Sequence, residues 1–408
     1  MHAFAVAAPG IAPLVAAELD ALGIAHEAPT AEGVAFRADW RALATANLWL
    51  RTATRVLIRV ASFRATDFRT LEREGRRIDW GAYVAPGQPV ALRVTCRKSR
   101  LYHSDAVAQR VHDAIAYVLG VRVPLAGAPA DDDDDNDGDD GARDDAALAA
   151  DVQPFVVRVA HDVVTISVDA SGVPLHKRGW RTALARAPMR ETLAVACLMG
   201  AGWEPAAPVP FVDPLCGSGT LAIEAALAAL GRAPGRWRRF AWERWRDAPA
   251  ALLSRTIRDT DADGRTSLDV PIVARDRDPG AVRMTRENAE RAGVDGVLTI
   301  EQGELRDLVP PAASGLWVSN APWGVRVAAG VTLDGLFRTI GTHATGAFRD
   351  WRVAILLAEA THLRALDVDV TPILRTRAGG IRILLAGLEP GSRAPSRAPR
   401  DRPSAVSR

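Results

Sequence analysis

Residues 210–231, P-F-V-D-P-L-C-G-S-G-T-L-A-I-E-A-A-L-A-A-L-G, leave few folds open. A short apolar run ends at Asp213, a turn carrying Gly217 and Gly219 follows, and a long apolar segment closes at Gly231. A strand that turns directly into a helix needs a crossover before its next neighbour, which predicts a parallel sheet. The pattern recurs. P-I-V-A-R-D (271–276) predicts a second strand. Residues 279–292 predict a second helix, with Asp278 as N-cap, Pro279 at the first helical position and Gly293 just past the end. V-L-T-I, G-L-W-V-S and W-R-V-A-I-L-L-A predict three further strands. P-M-R-E-T-L-A-V-A-C-L-M-G (188–200) predicts a helix ahead of the first strand, with Pro188 in its first turn.

The first 170 residues have another texture. F-A-V-A-A and G-V-A-F-R-A read as strands, and 11–23 and 39–50 as helices, the first closed by Gly23. R-V-L-I-R-V-A-S-F (55–63) and P-V-A-L-R-V-T-C (89–96) are predicted strands flanking a helical segment around 66–78. The basic stretch R-K-S-R-L-Y-H-S-D (97–105) opens a helix whose buried face should be Val107, Val111, Ile115 and Val118, ending at Gly120. Two alternating apolar segments run from 154 to 169, completing an α+β module.

Charge is distributed unevenly. Residues 131–145 hold ten Asp and one Arg, within a chain whose net charge is +2, so the remainder carries +11. Such a tract cannot collapse and is expected to be a solvated loop. Lys98 and Lys177 are the only lysines among 51 basic residues. Guanidinium is the better fork for phosphate and stacks on bases, so an arginine-rich body fits a nucleic-acid partner. The exposed-looking cations of the basic stretch, Arg97, Lys98, Arg100 and Arg110, are its expected RNA contacts. The Pro- and Ser-rich segment 391–408, with five Arg and one Asp, reads as a disordered basic tail. No apolar run approaches the roughly 18 residues of a membrane span. The N-terminal residues lack the basic flank of a signal peptide. Cys96, Cys197 and Cys216 have no metal-like spacing. A reduced, cytoplasmic protein without metal, membrane or disulfides is expected, its partner RNA and its state a monomer.

The glycine turn carries the chemistry. Gly217, Gly219 and Ala222 match a dinucleotide fingerprint, but Asp213 stands where a pyrophosphate would meet like charge. The next acidic strand end, Asp276, lies 57 positions past Gly219, where the fingerprint expects about 20. A cationic ligand without phosphates suits the loop better. S-adenosylmethionine has the matching parts: Asp213 for its amino group, Asp276 for two ribose hydroxyls and Glu304, past the third strand, for the adenine amine. Cys216, Gly217, Gly219 and Thr220 would form the loop around it, and Cys216 reads as a small loop residue, since no base is paired with it.

V-S-N-A-P-W-G (318–324) ends the fourth strand on the same sheet edge. An exocyclic amine on a ring is a poor nucleophile because its lone pair is delocalised. Two carbonyl acceptors, the Asn320 side chain and the Ala321 backbone, would draw it toward tetrahedral geometry. Pro322 biases residue 321 toward extended backbone, and Trp323 offers a stacking face.

D-P-L-C-G-S-G-T, D-x-D-P with N-A-E-R-A-G, and S-N-A-P-W-G resemble the donor and N-P-P-[YFW] motifs of class I amino-methyltransferases, specifically THUMP-domain RNA guanine-N2 methyltransferases. R-K-S-R-L-Y-H-S-D-A-V-A-Q-R and S-V-D-A-S-G-V-P-L-H-K-R-G-W-R resemble that family's THUMP helix and exit segment. The resemblance implies an α/β protein: a Rossmann-like class I methyltransferase domain (173–390) preceded by an α+β region, ferredoxin-like over 1–52 and THUMP over 53–172, the latter with an acidic insertion at 127–150. It implies methyl transfer to guanine N2 in ribosomal or transfer RNA. The family has proline where this chain has Ala321, commonly Asp for Glu304 and Tyr for Trp323. The alternatives are an amino-methyltransferase acting on adenine N6 or protein glutamine, and a non-catalytic RNA-binding factor with a decayed donor site.

Overall fold

The computed structural model describes residues 1–127, 151–182, 189–322, 333–358 and 363–389. The acidic tract 131–145, Pro188, Trp323 and the tail 391–408 lie outside the described residues, with the expectations attached to them.

Six strands form the first sheet: β1 (His2–Val6), β2 (Gly33–Arg37), β3 (Arg55–Arg64), β4 (Val90–Arg97), β5 (Gln153–Ala160) and β6 (Val163–Asp169), in the order β2-β1-β3-β6-β5-β4. β4 and β5 run parallel and the other neighbours antiparallel. Because β1 hydrogen-bonds to β3, residues 1–52 and 53–172 contribute to one continuous sheet. Helices α1 (Ala12–Ala21), α2 (Trp40–Trp49), α3 (Phe68–Gly75) and α4 (Ser104–Leu119) accompany it. Asp39 and Asp67 cap α2 and α3, each carboxylate accepting a first-turn amide. Val107, Val111 and Ile115 of α4 are buried as expected, but Val118 is 37% exposed. Tyr117 beside it is also exposed, so the apolar spacing runs one turn beyond the packed face. Gly120 ends the helix at φ 65°.

The second sheet has seven strands: β7 (Phe211–Asp213), β8 (Ile272–Asp276), β9 (Leu298–Gln302), β10 (Leu316–Asn320), β11 (Arg352–Ala358), β12 (Val370–Ala378) and β13 (Ile381–Leu388). Their order is β12-β13-β11-β10-β7-β8-β9. β7 to β11 are mutually parallel, as expected for the doubly wound half. The hairpin β12–β13, antiparallel to β11 and absent from the five-strand expectation, corrects it. Pro372 stands at a register shift in this edge strand, where a missing N–H is tolerated. Gly379 and Gly380, both at positive φ, make its turn.

Helices α5 (Glu191–Gly200), α6 (Thr220–Ala229), α7 (Leu252–Asp263), α8 (Pro279–Ala292) and α9 (Leu333–Thr345) complete the domain. α5 starts at Glu191 with Arg190 as N-cap. α8 is capped as its sequence predicts: Asp278 accepts from the Gly280 amide at 2.8 Å and Gly293 closes at φ 65°.

One apolar cluster includes residues of both halves, from Ala3 to Leu385, and a second, around Trp317, Phe337 and Leu384, packs the other face of the second sheet. Polar contacts tie the halves as well. Arg238 donates to the carbonyls of Ser171, Val173, Pro174 and Lys177, and the Trp245 indole to Gln153 at 2.8 Å.

Candidate active site

In a doubly wound sheet the strand order reverses between two neighbours, and the crevice beyond their carboxyl ends is open. Here those neighbours are β7 and β10. β7 ends in Asp213 and β10 in Ser319 and Asn320, so the two segments singled out from sequence meet at this point. Ser319 Oγ donates to Asp213 Oδ1 at 2.7 Å and accepts from the Trp317 indole at 3.0 Å. The Leu215 amide also donates to Asp213 Oδ1, at 3.2 Å. Oδ2 has no hydrogen-bond partner among the described residues. Burial pushes this carboxyl up to about 7, opposed by the Ser319 bond. A buried carboxylate at that value is short of a cation.

The glycine turn is held from behind by α8. Thr285 Oγ1 donates to the Gly217 carbonyl and Asn288 Nδ2 to the Ser218 carbonyl, both at 3.0 Å. Thr285 and Asn288 are fully buried and three residues apart, one face of the helix. Gly219 has φ 86°, and a Cβ there would lie 2.6 Å from Thr285 Cγ2, so only glycine fits. At Gly217, φ 56°, an added Cβ would meet nothing within 4 Å: that side of the loop is free for a ligand's close approach.

Asp276, at the end of β8, reaches the same loop. Its Oδ2 accepts from the Gly217 amide and its Oδ1 from the Asp278 amide, each at 3.0 Å. Burial raises its carboxyl above the ordinary value. Each oxygen keeps a lone pair for a hydroxyl donor. The Gly303 amide donates to the Asp276 carbonyl at 3.0 Å, which sets the half-buried Glu304 one residue away. Thr220 is buried at the start of α6. Cys216 is buried, its thiol pushed well up by burial and by Asp213 and Asp276, so it stays protonated; it contacts Thr285 Oγ1 at 3.6 Å.

Asn320 Oδ1 is buried and has no hydrogen-bond partner among the described residues. An orphaned buried amide oxygen is costly unless something donates to it. The Ala321 amide donates to the Leu356 carbonyl at 3.0 Å, fixing the chain just beyond Asn320, and the Ala321 methyl lies in a core with Val212, Trp317 and Phe337. Pro322 is half-buried, and Trp323 lies outside the described residues.

Arg97, Lys98 and Arg100 are exposed around the β4–α4 turn. Arg110 is exposed as well; it pairs with Glu72 at 2.9 Å and lies over the Phe68 ring, fastening α4 to α3. Sequence reasoning did not assign Ser319, Thr285 or Asn288. Their signal was weak, a polar residue inside an apolar strand and two polar residues at i, i+3 within a polar helix.

A cationic donor fits these groups: two carboxylates facing one glycine loop, open space at Gly217 and an acceptor with no donor. No helix among the described residues is long and apolar enough to cross a membrane.

The family described as RMKL-like, methyltransferase domain, matches residues 178–375, and the RlmL ferredoxin-like domain matches 2–57. "Putative RNA methyltransferase slr0064" of Synechocystis sp. is 31% identical over 393 residues, 95% of this chain and 96% of its own length. "Ribosomal RNA large subunit methyltransferase K/L" of Syntrophotalea carbinolica is 34% identical over 95% of this chain, but that match covers 53% of its own length. The chain spans about half the length of the K/L relatives it matches. The crystal structure of SMU.472 complexed with SAH superposes with TM-score 0.79 at 27% identity, over 96% of this chain and 98% of that one. TrmN from Thermus thermophilus, at 20% identity and TM-score 0.65, shares the fold. With this fold, this loop and these matches, the chain belongs to the RMKL-like family of S-adenosylmethionine-dependent methyltransferases.

Proposed function

We propose that the chain transfers a methyl group from S-adenosylmethionine to the exocyclic N2 amine of a guanine in structured RNA, ribosomal or transfer. The observation that carries this reading is the orphaned Asn320 Oδ1 at the switch point, one residue from the Ser319–Asp213 contact. The names of the relatives, RNA methyltransferase and ribosomal RNA large subunit methyltransferase, support RNA as the substrate.

The bound donor supplies an electrophilic methyl on a sulfonium. Asp213 holds the donor's ammonium through the free Oδ2, and its negative charge is matched there by a cation. Asp276 accepts from the ribose hydroxyls while keeping its two backbone amides, and Glu304 accepts from the adenine amine. Asn320 Oδ1 and the Ala321 carbonyl accept the two hydrogens of the guanine amine, which localises its lone pair and directs it along the line of transfer. Trp323 stacks on the base. After transfer the ammonium-like nitrogen loses its proton to solvent, so no residue with a neutral pKa is required at Asn320. Residues 53–172, as a THUMP-type unit, dock the RNA.

The test is incubation of the purified chain with tritiated-methyl donor and total RNA, DNA or protein fractions, followed by mass spectrometry of the nucleosides. N2-methylguanosine in RNA is the expected product. A Listeria monocytogenes protein described as a predicted N6-adenine-specific DNA methylase, 28% identical with TM-score 0.78, makes adenine the competing acceptor. Label in N6-methyladenine or in protein glutamine rejects the guanine reading; no donor binding at millimolar concentration rejects an enzyme altogether.

A further inference from the structure

Five described non-glycine residues adopt positive φ, and three of them, Lys98 (46°), His161 (52°) and Asp162 (62°), meet in one place. There the turn leaving β4 crosses the turn joining β5 to β6. His161 and Asp162 are the two loop residues of the β5–β6 hairpin, where positive φ is what a tight two-residue turn requires, and that turn braces the Lys98 turn beside it. Ser99 Oγ donates to the Arg97 carbonyl at 2.8 Å and accepts from the Asp162 amide at 3.0 Å. Asp162 Oδ1 accepts from the Arg100 amide at 2.8 Å, and the His161 amide donates to the Arg97 carbonyl at 3.3 Å.

What this braced turn displays is specific. Arg97, Lys98 and Arg100 are exposed, and Tyr102, 69% exposed, lies against His103 with ring centroids 4.0 Å apart at 41°. Nearby carboxylates are largely committed. Asp162 serves the Arg100 amide, and Glu32 is ion-paired to Arg158, with Arg97 and Arg59 adding to the positive field around it. Asp105, in the first turn of α4, is the remaining negative group on that element's near end. Arg110 is turned away onto Glu72 and Phe68, which confines the cations to the turn itself.

We propose that Tyr102 and His103 form a stacking platform for one unpaired base of an RNA strand, whose flanking phosphates lie against Arg97, Lys98 and Arg100. The exposed Tyr102 ring, steadied by His103 against it, offers a stacking face beside donors for phosphate, and only a base outside a helix presents a free face to it. The platform rests on the RNA reading of the active site and adds where, and in what form, the RNA is held away from the methylated base.

The test uses the full chain and two probes: an RNA strand of about 12 nucleotides with one 2-aminopurine, and the same strand annealed to its complement. Tyr102→Ala should weaken single-strand affinity by about tenfold or more and abolish the 2-aminopurine quenching. Tyr102→Phe should restore both, since the ring remains. Arg110→Gln should leave both within about twofold, and duplex affinity should change little in any variant. Donor affinity by calorimetry, unchanged in Tyr102→Ala, establishes that the variant is folded. A wild-type chain that binds neither probe overturns the platform and the RNA reading together. A wild-type chain that binds the strand equally with and without the Tyr102 ring, or loses strand and duplex alike, overturns the platform alone.

Discussion

Asn320 is the residue where a change should separate binding from chemistry. Its amide oxygen has no hydrogen-bond partner among the described residues, so Asn320→Ala removes an acceptor without breaking a described hydrogen bond. Donor affinity should stay within about twofold while turnover falls by about 10²–10³, the loss typical of one transition-state hydrogen bond. Single-turnover kinetics with labelled donor decide it: retained turnover removes Asn320 from the mechanism. Asp213 makes a different prediction. If, as proposed, its ionised form holds the ammonium, then with burial pushing the carboxyl up to about 7 donor affinity should rise with pH through 7 and level off above it. For folding the sign is opposite. The folded value lies above the ordinary 3.8, so the native state binds the extra proton. The associated stability is complete below about 4 and is lost as pH rises through 7. Asp213→Asn should flatten both profiles; a wild-type donor affinity that is level between pH 5.5 and 8.5 contradicts the assignment.

At the scale of elements, α8 is a clamp on the donor loop. Thr285→Val keeps the branched shape but leaves the Gly217 carbonyl without its donor, at a cost of about 1–3 kcal/mol. Donor affinity should fall with it, and Thr285→Ser should recover it. A variant that loses stability in denaturant titration yet binds the donor normally would make the clamp merely structural. The start and end of α8 were legible because Asp278, Pro279 and Gly293 act within a turn of themselves. So was the placement of Asp213, Gly217 and Gly219 in one strand-to-helix turn. Thr285, Asn288 and Ser319 were not, because each works on a partner at least 68 positions away. The Arg110 ion pair was hidden for the same reason. The arginine's charge is local information, but its partner Glu72 stands on another helix. The hairpin β12–β13 was hidden by Pro372, which argues against a strand until a register shift accommodates it.

Across the whole molecule, the parallel strands of the second sheet followed from alternation of strand and helix, whereas the joint between the two halves did not. It is made by charges that a sequence places on the surface. Glu224, 0% exposed on α6, meets Arg178 at 3.3 Å and Arg51 at 3.7 Å. Arg178, 1% exposed, also donates to the Arg51 and Leu175 carbonyls, and Arg51 to the Arg232 carbonyl. Glu18 completes the cluster by accepting the Arg51 and Thr52 amides. One carboxylate thus neutralises two guanidiniums, one from the first half and one from the exit segment, inside a shared core. Glu224→Ala removes the carboxylate that both guanidiniums share, leaving Arg51 only Glu18 and Arg178 only Glu191 nearby, which should destabilise the fold by about 3–5 kcal/mol. Because one apolar cluster includes residues of both halves, the wild-type chain should unfold in one calorimetric transition, and the variant in one transition at lower temperature. Two separate transitions in Glu224→Ala would mean that the ion cluster, rather than the core, makes the halves cooperative. An unshifted midpoint would mean that water already reaches Arg178 and Arg51 in solution.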